Sequence, residues 1–120
     1  MTQAALSEIV NSKRIVVSVG AGGVGKTTVS AALALAGAAA GRKSLVLTID
    51  PARRLANALG LSEIGNEEKG IDDAVLSRVN VTAARGLYAM MLDAKSMFDA
   101  IVAKHAPSPE VRDAILGNHL

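Results

Sequence analysis

One glycine-rich stretch near the N-terminus constrains the fold of this chain more than any other feature. Residues 20–27 read Gly-Ala-Gly-Gly-Val-Gly-Lys-Thr, which is the pattern G-x-x-x-x-G-K-T. An apolar run at residues 15–19 precedes it, and an alanine-rich run at residues 27–40 follows it. A strand, a glycine loop and a helix in this order are the context in which the pattern forms a phosphate-binding loop. The sequence therefore predicts a phosphate site between a buried strand and a helix.

The predicted site combines backbone and side-chain groups of the loop. Backbone N–H groups of glycine approach phosphate oxygens closely because no Cβ intervenes, and the following helix N-terminus adds partial positive charge. We expect Lys26 to contact the β- and γ-phosphates and the Thr27 hydroxyl to bind Mg²⁺. The alternative is a glycine-rich turn before an unrelated helix. The predicted nucleotide-binding residues are Gly20, Ala21, Gly22, Gly23, Val24, Gly25, Lys26, Thr27 and Thr28.

Composition argues against several classes of function. At 120 residues the chain is one domain or part of one. It contains no cysteine, which excludes disulfides and cysteine-bound metals or metalloids within these residues and fits a cytoplasmic location. A net charge of +2 without a basic run predicts no nucleic-acid partner. The longest apolar stretch, residues 31–40, is half of the roughly 20 residues that a membrane span needs, and no signal peptide is evident.

The remaining sequence predicts an α/β fold with a parallel sheet. Residues 44–49 and 87–92 are apolar strand candidates, and helices are expected at residues 1–12, 27–40, after Pro51, from Asp93 onward and at 109–116. Short links between strand, helix and strand predict parallel strands with a right-handed crossover. Residues 60–73 are polar and glycine-rich, which favours an irregular connection. Residues 75–85 suit either a strand or a helix, and the helix is favoured because Gly86 precedes a clearer strand.

Asp50 is the second predicted functional residue. It follows the strand at residues 44–49, and ligands of parallel sheets bind at the carboxyl ends of the strands. There its carboxylate could orient and deprotonate an attacking water, or hold Mg²⁺ through water. The alternative is that Asp50 only caps a helix that Pro51 begins, since Asp at N-cap and Pro at N1 is a favoured pair.

Two segments resemble the anion-transporting ATPase family, which includes arsenite-pump ATPases and tail-anchored-protein targeting factors. They are residues 20–28 and residues 48–60, the latter reading Thr-Ile-Asp-Pro-Ala-Arg-Arg-Leu-Ala-Asn-Ala-Leu-Gly. Residues 87–95, with Phe98 and Asp99, are similar to the bacterial branch of the family. The resemblance implies a P-loop NTPase fold of the SIMIBI type with a deviant Walker A motif. It also implies MgATP hydrolysis, with Asp50 in the first switch activating the water and Lys26 stabilising the transferred phosphate.

The resemblance further implies a homodimer that closes around ATP and handles a partner, either a protein client or a membrane protein. In the family pattern a lysine that reaches the partner subunit's phosphates stands where this chain has Ala21. We hypothesise that Arg53 or Arg54 supplies the missing charge; the alternative is an exposed arginine on a helix surface. Other readings of the chain are a nucleotide-gated targeting module with little turnover, a metalloid-pump subunit, and an inactive fragment.

The residues resemble only the N-terminal part of a typical member, since no second switch or adenine loop is found after Asp50. We interpret residues 1–12 as an edge helix, 13–60 as strand, loop, helix, strand and first switch, 61–86 as a connection, and 87–120 as a third strand with helices. Unpaired strand edges would then favour self-association or low stability. Five residues share one face of the predicted helix after Asp93, which suits core packing or a partner surface: Ala94, Met97, Phe98, Ile101 and Val102.

Overall fold

The computed structural model describes residues 2–49 and 53–117, which form six helices and a three-stranded sheet. Its helices are α1 (Gln3–Ser12), α2 (Lys26–Ala39), α3 (Arg54–Ala58), α4 (Asp73–Ser77), α5 (Ala94–His105) and α6 (Pro109–Leu116). Its strands are β1 (Ser44–Thr48), β2 (Lys69–Gly70) and β3 (Leu87–Met91). The helix predicted within residues 75–85 is instead α4, which begins earlier and is shorter.

The sheet is mixed, so the prediction of a parallel sheet is correct for only one of its two pairings. The strand order is β1-β3-β2. β1 and β3 run parallel, with Ser44 opposite Leu87, whereas β2 is antiparallel to β3, with Gly70 opposite Tyr88. β2 lies in the segment predicted to be irregular. No strand was predicted there because lysine and glycine have little strand preference. Its pairing depends on tertiary contacts, and the N–H of Ile71 extends it by donating to Leu87 O at 2.8 Å.

The strand predicted at residues 15–19 is not formed, and this prediction was wrong. Ile15 and Val19 are each 83% exposed, and Val17 is 76% exposed. Within residues 2–49 and 53–117, no backbone hydrogen bond joins this segment to another strand. A strand needs a neighbour to pair its N–H and C=O groups, and β-branched composition cannot supply one. The predicted strand–helix–strand unit is therefore absent, although the helix and its second strand are present.

Small residues allow α2 to lie close to β1. Gly37 is buried, and a Cβ built on it would lie 2.7 Å from Ser44 Oγ, closer than packed side chains come. α2 then ends as predicted at a left-handed Gly41 (φ 83°), where the Arg42 N–H donates to Gly37 O and the Gly41 N–H to Ala38 O. This pair of bonds is the Schellman motif, which satisfies the last helix carbonyls and turns the chain back into β1.

The hydrophobic core lies between the sheet and the helices α2, α3 and α4. Its ten members among the described residues are small or aliphatic, as the near absence of aromatic residues requires: Ala31, Ala38, Val46, Leu55, Ala56, Ile64, Ile71, Leu76, Leu87 and Ala89. By the hydrophobic effect, burial of such side chains provides most of the driving force for folding. The core therefore holds α2 against the sheet and α3 against α2.

The helices α5 and α6 pack against each other and contain no buried residue. Their N-caps follow the sequence, with Asp93 accepting from the N–H groups of Lys95 and Ser96 and Ser108 accepting from the N–H of Val111. Hydrogen bonds from the Ser96 hydroxyl and from the N–H groups of Ser96 and Lys95 lower the pKa of Asp93 below its usual value of 3.8. The caps explain where the two helices begin, although the core does not bury them.

Candidate functional site

The glycine loop adopts a conformation that requires glycine at two positions. Gly23 has φ 78° and Gly25 has φ 87°, both in the left-handed region. No atom lies within 4 Å of a Cβ built on either residue, so the constraint comes from the backbone rather than from crowding. Gly25 is the N-cap of α2, and its carbonyl accepts the N–H of Val29 at 2.9 Å. The loop therefore leads directly into a helix N-terminus, where unpaired N–H groups favour anions.

Lys26 is the first residue of α2, and its ammonium folds back over the loop. Its Nζ donates to the carbonyl oxygen of Ala21 at 2.7 Å, closing a ring of six residues within the motif. Thr27, which is half-buried, and Thr28, which is exposed, follow in the first turn of the helix. The structure thus brings the predicted residues 20–28 together at one helix end. An ammonium, two hydroxyls and free N–H groups at one point form an arrangement suited to a phosphate group.

Asp50, predicted to act on the attacking water, lies outside the described residues, and its role stays a prediction. Within the described ranges, no three His, Cys, Asp or Glu side chains are grouped as metal ligands. Mg²⁺ in nucleotide sites is usually held by one or two protein oxygens together with the substrate phosphates. The Thr27 hydroxyl fits that role by its chemistry and by its place in the first helical turn, next to Lys26.

A cleft of about 1600 Å³ adjoins the loop. Its lining comes from residues 15–20, from β1, from α2 between Lys26 and Gly37, and from parts of α1 and α3. None of its described lining residues is acidic. Six of them are basic: Lys13, Arg14, Lys26, Arg42, Lys43 and Arg54. The described lining of the cleft is therefore cationic, which favours an anionic ligand.

The sequence contains no basic run, because the basic residues that line the cleft are separated in the chain. The basic residues occur in short pairs, Lys13-Arg14 before residues 15–19 and Arg42-Lys43 before β1. Each pair is too short to stand out in the sequence, and only the fold gathers them at one cleft. Arg42 Nη1 donates to the carbonyl of Val10, and Lys43 Nζ lies 4.7 Å from the centre of the Tyr88 ring.

Arg53 and Arg54 have different surroundings although they are neighbours in the chain. Arg53 has left-handed backbone angles (φ 56°, ψ 13°) and is the N-cap of α3. It lines an adjoining pocket of about 170 Å³ together with Glu63, and Thr48 and Leu55 line both this pocket and the large cleft. Arg54, also exposed, lines the large cleft that contains the glycine loop. Of the two arginines considered in the sequence, only Arg54 therefore shares a cleft with Lys26.

A family profile described as anion-transporting ATPase matches residues 13–111. The chain belongs to the anion-transporting ATPase family. The match confirms the resemblance recognised in the glycine loop and in residues 48–60. Membership implies a protein that binds nucleotide and hydrolyses ATP, usually with Mg²⁺, as family members do. No helix in the described part of this ATPase-family chain has the length and apolar character needed to cross a membrane.

Proposed function

We propose that this chain binds MgATP through Gly20–Thr28 as the nucleotide-binding part of an ATPase of the anion-transporting family. The observation that carries the proposal is the loop itself, in which left-handed Gly23 and Gly25 lead into α2 and Lys26 lies over the loop. In this reading a phosphate oxygen replaces the Ala21 carbonyl as the partner of the Lys26 ammonium. The exchange is favourable because a charged acceptor binds an ammonium more strongly than a neutral one does.

The complete site would hydrolyse ATP mainly by positioning and charge stabilisation. Loop N–H groups and Lys26 would neutralise charge that develops on the γ-phosphate, and Thr27 would hold Mg²⁺ between the phosphates. Asp50 would orient the attacking water, as the resemblance implies. Preference for adenine rests on family membership, since the residues described here include no recognised base-binding element.

Titration calorimetry with MgATP tests the binding proposal directly. We expect wild-type protein to bind and Lys26→Ala to lose at least tenfold in affinity, because one charge-assisted hydrogen bond contributes about 1.5–3 kcal/mol. Lys104→Ala on α5 is the matched control, since it removes the same charge from an exposed helix away from the loop. Failure of wild-type protein to bind MgATP, or equal affinities of the Lys26 and Lys104 variants, would contradict the proposal.

Hydrolysis and dimer closure are tested separately from binding. We expect Asp50→Asn to retain MgATP binding and to abolish phosphate release in any preparation that turns over ATP. Equal turnover by Asp50→Asn would remove Asp50 from the mechanism. For closure, sedimentation velocity should show a larger species with a non-hydrolysable ATP analogue than with ADP. Identical sedimentation in both states would contradict nucleotide-driven dimerisation.

A second candidate, a nucleotide-gated module that binds an apolar protein segment, is favoured by the surface of α5. Phe98 is 54% exposed and Ile101 is 55% exposed, so the core packing considered for this face does not bury them. Exposed apolar side chains on one helix face suit a partner helix. Binding of a fluorescent apolar helical peptide should weaken in Phe98→Ser and should differ between the ADP and ATP states. Equal binding by the variant would eliminate this candidate surface.

A metalloid-pump role would require thiols outside these 120 residues, because the chain has no cysteine. Stimulation of ATP turnover by arsenite in this cysteine-free chain would contradict the requirement for thiols outside it.

We also propose that residues 13–60 form the nucleotide-binding unit of the chain.

A further inference from the structure

We infer that Arg54 is a second cationic contact for the phosphates of the nucleotide that the glycine loop binds, opposite Lys26. The inference rests on the proposed MgATP site and goes beyond it, because it assigns the role to one arginine of an adjacent pair. Three observations carry it: the charge of the cleft, the position of α3 and the different directions of Arg53 and Arg54.

Two of the six basic residues in the described lining of the cleft begin helices. Of the six basic lining residues, Lys13 and Arg14 precede the unpaired segment at residues 15–19, and Arg42 and Lys43 precede β1. Lys26 and Arg54 instead lie within helices. They stand at the beginning of α2 and of α3, respectively.

The packing of α2 and α3 places these two helix beginnings at the same side of the molecule. α2 packs on β1 and joins it through a short turn, so the two elements run in opposite directions. Fourteen helical residues span about 21 Å and five strand residues about 17 Å, so the beginning of α2 lies near the level of the end of β1. α3 follows β1 closely and packs against α2. Arg54 is therefore carried to the loop end of the cleft.

The backbone at Arg53 separates the two arginines. A left-handed residue is unusual for arginine and costs roughly 1–2 kcal/mol, so tertiary contacts must hold it. At this bend Arg53 lines the small pocket with Glu63, whereas Arg54 lines the cleft with Lys26 and Thr27. The pair thus provides its own control: two exposed arginines with the same charge, only one of which lines the phosphate-loop cleft.

Calorimetric titration of MgATP into wild-type, Arg54→Ala, Arg54→Lys and Arg53→Ala protein tests the inference. We expect Arg54→Ala to weaken MgATP binding about tenfold, Arg53→Ala to change it less than twofold, and Arg54→Lys to recover most of the loss. The Arg54→Ala defect should shrink as salt is raised, because an electrostatic contact at an exposed side chain is screened. Thermal unfolding of each variant, followed by circular dichroism, provides the check on folding.

Each outcome decides between the inference and its basis. If Lys26→Ala loses binding but Arg54→Ala and Arg53→Ala bind MgATP equally well, the inference is overturned and the proposed MgATP site stands. A tenfold loss in Arg54→Ala that salt does not change and Arg54→Lys does not reverse indicates a structural role, which also overturns it. If wild-type protein does not bind MgATP, the proposed site fails and the inference fails with it.

Discussion

The contact between Gly37 and Ser44 makes a quantitative prediction about how α2 is held against β1. A Cβ on Gly37 would lie 2.7 Å from Ser44 Oγ but 3.8 Å from Ser44 Cβ. The first distance is a clash and the second is an ordinary contact. The effect of Gly37→Ala should therefore depend on whether residue 44 carries its hydroxyl.

Two opposing terms set the magnitude. Replacing glycine by alanine within a helix raises helix stability by up to about 1 kcal/mol. Forcing a methyl group into a packed contact costs about 1–3 kcal/mol. We therefore expect Gly37→Ala alone to lower the free energy of unfolding by about 1 kcal/mol, and to raise it by about 1 kcal/mol in a Ser44→Ala background. The coupling between the two positions is then about 2 kcal/mol, within the range of contacting residues.

Urea unfolding followed by circular dichroism at the helix band measures all four proteins of this double-mutant cycle. Equal effects of Gly37→Ala in both backgrounds would refute the packing argument, whatever their sign. Gly41→Ala is the matched control for the same residue change. Gly41 has φ 83° and no atom within 4 Å of a built Cβ, so its replacement should cost about 1 kcal/mol in either background.

Three further predictions follow from backbone angles and from a capping carboxylate. Gly25→Ala should lower the free energy of unfolding by about 1–2 kcal/mol and weaken MgATP binding. Gly22 has open space around it and no left-handed φ, so Gly22→Ala should change the free energy of unfolding by less than about 0.5 kcal/mol. Equal urea midpoints of the two variants would contradict this difference. Arg53→Gly should raise the thermal midpoint by a few degrees, because relief of the left-handed strain exceeds the added entropy of the unfolded chain; a lower midpoint in a thermal scan would show that the strain is small. Hydrogen bonding lowers the pKa of Asp93, so its carboxylate stabilises the folded state above pH 3.8, and this stabilisation is lost as pH falls through the lower pKa of the folded state. Asp93→Asn should therefore show a flatter dependence of helicity on acid pH. An unchanged profile would exclude Asp93 as the source of that dependence.

Local sequence patterns predicted the loop and most helices of this chain. Gly25 before Lys26, Gly41 after α2, and the caps Asp93 and Ser108 each act through contacts within a few residues. Such short-range interactions are encoded where they occur, so no knowledge of the rest of the fold is required. The left-handed conformation of Gly23 and Gly25 follows from the same kind of local pattern, whereas phosphate binding by residues 20–28 stays a prediction.

Only the tertiary structure decided which strands pair and which charges meet. Residues 15–19 have the composition of a strand, but no strand in the described chain pairs with them. Lys69 and Gly70 do not have such a composition, and they pair with β3. Strand pairing joins residues that are far apart in sequence. Local composition therefore indicates that a segment can form a strand, but it does not identify the strand with which the segment pairs. Likewise, Arg53 and Arg54 are the same residue type in the sequence, and only the fold shows a left-handed Arg53 and an Arg54 that lines the cleft containing Lys26.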